Sequence, residues 1–211
     1  MLFSTNRMDP INLLSTMFKE FPGIGERQAK RFVYFLLHKN PQYVKSLGDA
    51  ILSIKNQIKQ CTSCFLFFQS TNNSICDTCR HSETDHSTLL IVEKDADFES
   101  IKRSRTYKGM YFILGGLVPI VTKETSNFVR TKELLSTIEK RVKEDGLKEV
   151  ILALSINPQG EHTDMYLREL ISPLVDKYNF KLSTLGRGLS TGTELEYSDS
   201  ETIKNALINR N

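Results

Sequence analysis

Apolar residues near the start of the chain recur at the three- and four-residue spacing of amphipathic helices. Asp9-Pro10 fits an N-cap and first turn, and Phe21-Pro22-Gly23 ends the helix that follows. A second helix is predicted from Glu26, and a third over residues 41–59. The second would bury Ala29, Phe32, Val33 and Leu36. The third carries an apolar stripe of Val44, Leu47, Ile51, Ile54 and Ile58. That stripe would serve a core or a subunit contact.

After residue 82 the pattern changes to short β-rich runs that alternate with helical runs. Strands are predicted at residues 89–92, 111–114, 149–154 and 181–185, and helices near 96–103, 131–144, 163–177 and 201–209. Such alternation predicts an α/β fold with a mostly parallel sheet, helices on both faces and ligand-facing loops at the carboxyl ends of strands. The expected domains are a helical region (1–59), a cysteine segment (60–82), an α/β domain (83–177) and a closing strand and helix (178–211).

Composition narrows the class of protein. The 211 residues are 39% hydrophobic and 25% charged, which argues against disorder and a fibrous fold. No apolar run approaches the roughly 20 residues of a membrane helix, and the N-terminus lacks the apolar core of a signal peptide, so we expect a soluble cytoplasmic protein. Gly186, Gly188 and Gly192 lack the GxxxxGK[ST] pattern, which argues against ATP hydrolysis.

Charge is distributed unevenly along the chain. Residues 1–59 contain nine Lys/Arg against four Asp/Glu, whereas residues 83–211 contain eighteen against twenty. The basic excess therefore lies in the helical region. It favours either a polyanionic partner or an ordinary solvated lysine-rich face, and local motifs must decide between them.

Four cysteines form two CxxC pairs separated by eleven residues: Cys61, Cys64, Cys76 and Cys79. Two such pairs on a short segment can place four thiolates around one tetrahedral Zn²⁺. Because all four positions are filled by protein, the expected site is structural and folds a segment too polar to bury a core. Two disulfides are the alternative, which a reducing cytosol disfavours.

The linker between the first two helices reads Pro22-Gly23-Ile24-Gly25, with glycines on both sides of one apolar residue. This pattern is typical of a helix-hairpin-helix, in which glycines let backbone N–H groups approach a phosphate. Arg27, Lys30 and Arg31 follow at helical spacing and form a positive stripe beside it. An ordinary helical corner is the alternative, but the basic stripe favours sequence-independent DNA binding.

Acidic residues follow two of the predicted strands. Glu93, Asp95 and Asp97 come after the first, and the predicted loop 155–164 after the third contains Glu161 and Asp164. The arrangement resembles the Toprim domain, in which a Glu and a later Asp-x-Asp organise Mg²⁺. The Asp-x-Asp is missing, because the loop reads SINPQGEHTD. Asp95 and Asp97 are expected to cap a helix instead, and His162 is expected to be solvated, so the magnesium site is incomplete.

Six segments in this order resemble the RecR family of recombination mediators across nearly the whole chain. They are FPGIGERQAKRF (21–32), CTSCFLFFQSTNNSICDTC (61–79), IVEKDAD (91–97), YFILGGLVPI (111–120), EVILALSINPQGEHT (149–163) and GLSTGTELEYSDSETI (188–203). The resemblance implies a DNA clamp without enzymatic activity, assembled as a ring, commonly a tetramer. It also implies work with RecO, and in many bacteria RecF, to load RecA onto single-stranded DNA in the cytoplasm, near the nucleoid.

The resemblance also assigns residues. It places DNA contacts at Arg27 and Arg31, zinc at the four cysteines, and a RecO contact at Glu93, Asp97 and Glu161. The chain departs from the family where Gln159 replaces an acidic residue, and at Gly116 and Ser190. Two other functions stay open: a magnesium-dependent Toprim nuclease or primase using Glu93 and residues 159–164, and a zinc scaffold that binds only protein.

Overall fold

The protein was analysed as a computed structural model, which describes residues 9–70, 72–121, 129–186, 200 and 202–204. The chain divides into two compact units, one ending at Gln57 and one beginning at Ile58. Within these described ranges, no helix combines the length and apolar character needed to cross a bilayer.

The first unit consists of three helices: α1 (Pro10–Lys19), α2 (Glu26–Leu37) and α3 (Pro41–Gln57). The Asp9 carboxylate caps α1 by accepting a hydrogen bond from the Ile11 N–H at 3.3 Å, as the Asp-Pro pair predicts. Helices α1 and α2 pack through Phe18 and Phe32, whose ring centroids lie 5.6 Å apart, edge to face. The three predicted helices are confirmed.

The apolar stripe of α3 is not buried in this unit. No residue of α3 is buried, and Val44, Leu47, Ile51 and Ile54 are between 36% and 61% exposed. Of the two roles predicted for the stripe, burial in a core formed by the described residues is therefore wrong. The stripe remains available for another surface.

The second unit begins with a two-stranded antiparallel ribbon of β1 (Ile58–Gln60) and β2 (Phe67–Gln69), followed by the short helix α4 (Asp77–Arg80). Ile58 therefore belongs to a strand and not to the third helix. The remaining elements are β3 (Asp85–Val92), α5 (Asp95–Ser104), β4 (Gly109–Ile113), α6 (Thr131–Glu144), β5 (Glu149–Ala153), α7 (Pro158–Tyr178) and β6 (Lys181–Thr184). Strands β3 to β6 form a parallel sheet in the order β4-β3-β5-β6.

Both faces of this sheet are covered, which confirms the α/β prediction. Alternate residues of β3 enter different cores, because successive side chains in a strand point to opposite faces. Leu89 and Ile91 pack with residues of α6 and α7, whereas Leu90 and Val92 pack with Phe98 of α5 and with the cysteine segment. The cysteine segment thus supplies part of one face's hydrophobic cover.

Helix α7 starts earlier than the sequence pattern predicted, at Pro158 and not near residue 163. Asn157 caps it by accepting a hydrogen bond from the Gly160 N–H at 2.8 Å, and Pro158 occupies the first turn. Gly160 lies so close to the Ser155 carbonyl that a Cβ would approach its oxygen to 1.9 Å. The predicted loop 155–164 is therefore wrong, because Glu161, His162 and Asp164 lie in the first turns of a helix.

The closing segment is described only in part. Residues 202–204 are helical and lie within the predicted helix at 201–209, and residue 200, one position before that range, is also helical. Gly188, Ser190 and Gly192, together with most of the 188–203 segment, lie outside the described residues.

Candidate metal centre and nucleic-acid interface

The four cysteines converge as the CxxC spacing predicts. Their sulfur atoms all lie within 4.8 Å of one another, and Cys64 Sγ is 3.6 Å from Cys76 Sγ. A tetrahedral Zn²⁺ with Zn–S bonds of ~2.3 Å requires sulfur separations of roughly 3.8 Å, so this spacing fits a metal ion. All four thiols are free, which excludes the predicted alternative of two disulfides in this structure.

Local hydrogen bonds prepare the cysteines to bind a cation. The Cys76 backbone N–H donates to Cys61 Sγ at 3.3 Å. Hydrogen bonds from the other thiols, that of Cys64 foremost, lower the pKa of Cys61, whereas the same contact with Cys61 raises the pKa of Cys64. The cluster therefore shares its protons and favours charge on Cys61. A divalent metal would replace these protons, since its ligands are thiolates.

The cysteine segment is joined to the sheet at the edge strand β4. The Ile113 N–H donates to the Cys64 carbonyl at 2.9 Å, and Phe65 packs edge to face on Phe112 with ring centroids 5.2 Å apart. Leu66 is buried in the same cluster as three of the cysteines. A metal bound by the four cysteines would therefore support the cover over one face of the sheet as well as a loop.

The hairpin between α1 and α2 leaves backbone N–H groups at the start of α2 accessible to a ligand. Gly23 has a φ of +76°, a conformation that L side chains rarely adopt, whereas Gly25 has an ordinary φ of −85°. A Cβ added at either position would meet nothing within 4 Å. Within the part of the chain that the structure describes, no side chain caps α2, so its first-turn N–H groups lack a capping partner. The fold itself does not require a glycine at position 25.

The three basic residues lie on the exposed surface beside this hairpin. Lys30 Nζ pairs with Glu26 at 3.0 Å, and Arg31 Nη1 donates to Gln28 at 3.2 Å. Arg27 makes no such contact in the described part of the chain and is exposed. The helix dipole and the positive side chains together make this corner attractive to an anion.

The acids after β3 are engaged in structural hydrogen bonds. Glu93 accepts a hydrogen bond from the Ser155 hydroxyl, and its side chain is 13% exposed. Asp97 accepts from the Lys94 N–H at 3.1 Å in a capping box, which confirms the predicted helix cap. The cap predicted for Asp95 is not seen, because Asp95 accepts instead from the Phe67 N–H at 3.0 Å and so ties α5 to the cysteine segment.

The acids of α7 lie near the carboxyl ends of β5 and β6. Asp164 accepts from Arg168 Nε at 2.7 Å and from the Thr184 hydroxyl at 3.3 Å. Glu161 is partly buried in the first turn of α7. Among the described residues, the four cysteines are the only group of three or more Cys, His, Asp or Glu side chains close enough to hold a metal.

Known proteins and protein families have sequences similar to this chain. A Toprim domain model matches residues 87–185, and a model described as RecR, C-terminal, matches residues 188–211. Recombination protein RecR of Dehalococcoides mccartyi is 35% identical over 200 residues, covering 95% of this chain and 93% of that protein. The chain belongs to the RecR family of recombination proteins.

Other RecR proteins agree with this assignment. The one from Bacteroides thetaiotaomicron is 33% identical over 193 residues (92% of this chain and 89% of that protein). The one from Lactobacillus acidophilus is 33% identical over 201 residues (95% of this chain and 96% of that protein). Membership of the RecR family supports a role in recombination and confirms the resemblance drawn from the six segments.

Sequence analysis of this RecR family member did not predict the side chains that contact two acids at the strand ends, Glu93 and Asp164. Arg168 follows Asp164 at the i, i+4 spacing of a helical ion pair, a signal that becomes readable only once α7 is known to start at Pro158. Ser155 follows β5, whereas Glu93 follows β3, so their contact depends on β3 and β5 being neighbours in the sheet. No local sequence pattern predicts that β3 and β5 are neighbours.

Proposed function

We propose that the protein is a DNA clamp of recombinational repair that binds DNA without reading its sequence and catalyses no reaction on it. In this proposal it acts with RecO, and with RecF where that partner is present, to help load RecA onto single-stranded DNA at gaps and breaks. The observation that carries the proposal is the open hairpin at the start of α2, with its uncapped N–H groups and exposed basic stripe. Membership of the RecR family supports the pathway.

The hairpin suits a phosphodiester because it contacts the backbone and no base. Uncapped N–H groups at a helix start are donors for a phosphate oxygen, and the helix dipole adds a favourable field. Arg27 and Arg31 supply guanidinium groups that pair well with phosphate, and Lys30 adds a further positive charge. Since phosphates are identical along DNA, binding should be independent of sequence.

The acids at the strand ends favour a role without catalysis. Glu93 and Asp97 are held by Ser155 and by the Lys94 backbone, and Asp164 is paired with Arg168. A magnesium site for strand cleavage needs oxygen ligands that converge on one ion. The described acids do not converge in this way, so we assign Glu93, Asp97 and Glu161 to the RecO contact, with neutral Gln159 as the weak point of that surface.

The exposed stripe of α3 supports assembly into a ring. A row of half-exposed apolar residues on a helix without a covering element is typical of a surface that meets another protein. A tetrameric ring, as expected for the family, would bring several basic hairpins around one DNA molecule. Zn²⁺ is the metal proposed for the cysteine centre, and the cytoplasm, near the nucleoid, is the proposed location.

Gly25→Ser provides a test that separates DNA binding from stability. Serine is a preferred N-cap residue, so its hydroxyl should accept a hydrogen bond from the first turn of α2 and leave the unfolding free energy unchanged or raised by a few tenths of a kcal/mol. The same hydroxyl would then occupy backbone N–H groups at the start of α2 that we propose donate to a DNA phosphate. We expect DNA affinity to fall roughly threefold to tenfold while the thermal midpoint is maintained.

Gly48→Ser serves as a matched control, because Gly48 lies in α3 and a Cβ there also meets nothing within 4 Å. Fluorescence anisotropy with a labelled oligonucleotide gives the affinity, and thermal denaturation gives the stability. Wild-type affinity in Gly25→Ser would show that the hairpin N–H groups do not bind DNA.

A further inference from the structure

A cavity of about 180 Å³ lies between α6 and the loop that connects Cys61 to Cys64. Its walls are formed by Thr62, Ser63, Ile75, Thr137, Lys140, Arg141 and Asp145. The volume exceeds the ~10–15 Å³ that one water molecule needs by an order of magnitude. None of these residues is a candidate metal ligand or part of the basic hairpin, so the cavity is separate from both sites already described.

Arg141 is the buried charge of this cavity. Its side chain is 6% exposed, and it donates from Nη2 to the Ser63 hydroxyl oxygen at 2.8 Å. Among the described residues, Asp145 Oδ2 is the carboxylate oxygen it contacts, at 3.5 Å from Nη1, and its buried Nε has no hydrogen-bond partner. A buried guanidinium normally has its donors satisfied and its charge closely paired, because desolvation is costly. The contacts of Arg141 only partly compensate for burying its charge and its donors.

Further donors surround the same space. Thr137, Lys140 and Arg141 follow the i, i+3, i+4 spacing that places side chains on one face of a helix. The Ser63 oxygen accepts from Arg141, so the Ser63 hydroxyl proton is available to another acceptor. The Thr137 hydroxyl makes no hydrogen bond to the described residues. Among the lining residues, Lys140 and Arg141 are positive and Asp145 is negative. Lys140 is exposed and also pairs with Glu144 at 3.8 Å, so its ammonium group can turn from that surface ion pair to an anion in the cavity.

We propose that this cavity binds a phosphate group, with Arg141, Lys140, Thr137 and Ser63 as its ligands. A tetrahedral oxyanion accepts several hydrogen bonds in different directions, which matches two hydroxyls, an ammonium and a guanidinium arranged around one space. Asp145 lies at the side of Arg141 and orients it. The phosphate has two possible sources, a free phosphate or small phosphate ester and the backbone of DNA.

Binding at this cavity would brace the cysteine segment. Ser63 lies between Cys61 and Cys64, and Arg141 already joins it to α6. An anion held by both elements adds a second connection between them. Phosphate should therefore stabilise the folded protein by an amount that rises with the logarithm of its concentration once that concentration exceeds Kd. This effect involves neither the hairpin nor the strand-end acids.

The test titrates inorganic phosphate into the zinc-loaded protein at constant ionic strength with chloride as the background salt, by isothermal calorimetry and thermal denaturation. We expect saturable binding with one phosphate per chain and a rise in the thermal midpoint. Thr137→Val and Lys140→Gln should each lower the affinity for phosphate about fivefold to tenfold. Ser136→Ala and Lys132→Gln, neighbouring changes of the same kind on α6 outside the cavity, should leave binding unchanged.

The result overturns the proposal if no saturable binding occurs at millimolar phosphate, or if Thr137→Val and Lys140→Gln bind as the wild type does. A DNA-binding series in the same variants then identifies the source. If the variants lower the slope of log K against log salt for DNA binding by about one, and phosphate competes with DNA, the site binds the DNA backbone. Unchanged DNA binding with saturable phosphate binding assigns it to a free phosphate or small ester. Because phosphate binding is measured without DNA, failure of the clamp proposal leaves this test intact.

Discussion

Replacing Cys64 by serine should destabilise the second unit by several kcal/mol and lower its thermal midpoint by about 10 °C or more. Structural zinc contributes about 10–16 kcal/mol in isolated zinc fingers, which is comparable to the whole stability of a domain. Here the cysteines also form part of the cover over one face of the sheet, so the loss spreads to Leu90, Val92 and Tyr111. Atomic absorption gives the zinc content, and calorimetry gives the midpoint.

Asn72→Ser is the matched control, since Asn72 is an exposed residue between the two CxxC pairs. It should retain one zinc ion per chain and melt as the wild type does. A chelator should reproduce the effect of Cys64→Ser, and acidification should also release the metal, because protons compete for the thiolates. A metal-free protein that melts at the same temperature as the zinc-loaded protein would contradict a structural role for the ion.

Arg27→Ala should weaken DNA binding roughly tenfold at low salt, and equally for every DNA sequence. Arg27 is exposed beside the uncapped start of α2, so its removal takes one phosphate contact without disturbing a core. The slope of log K against log salt should fall by about one, and Arg31→Ala should act in the same direction. Anisotropy measurements over a range of salt concentrations on several unrelated oligonucleotides give both quantities.

Arg103→Ala is the control for the loss of one positive charge, because Arg103 is exposed on α5 in the other unit. It should bind DNA with nearly wild-type affinity and salt dependence. A loss in Arg27→Ala that is confined to some sequences would contradict backbone binding. An equal loss in Arg103→Ala would show that total charge, and not the hairpin, controls affinity.

Much of the fold could be predicted from local sequence patterns. Asp9-Pro10 fixes the start of α1, and alternation of strands and helices predicts the parallel sheet. The patterns failed where non-local contacts decide the outcome. Strands β1 and β2 are three residues each and exist because they pair with one another, which no local periodicity reveals. The start of α7 was readable in Asn157-Pro158 but was obscured by the polar residues that follow.

The candidate sites also differ in whether local spacing or non-local contacts place their residues. The spacing of the two CxxC pairs predicts that the four cysteines converge, so the sequence alone located the candidate metal centre. The basic stripe of α2 was also readable, since helical spacing sets its face. The buried Arg141 was not, because its partner Ser63 lies 78 residues earlier in the chain. Likewise, the contact between Ser155 and Glu93 requires two strands to be neighbours.

The most direct measurement incubates the zinc-loaded protein with matched linear and closed circular DNA in Mg²⁺ and assays retention and strand breaks on one gel. A ring can slip off the ends of linear DNA but not off a closed circle. The clamp account predicts that a salt wash removes the protein from linear DNA but not from closed circles. It also predicts that neither DNA is cut, by the wild type or by Glu93→Gln. Strand breaks that require Mg²⁺ and disappear in Glu93→Gln would contradict it and make the strand-end acids an active site.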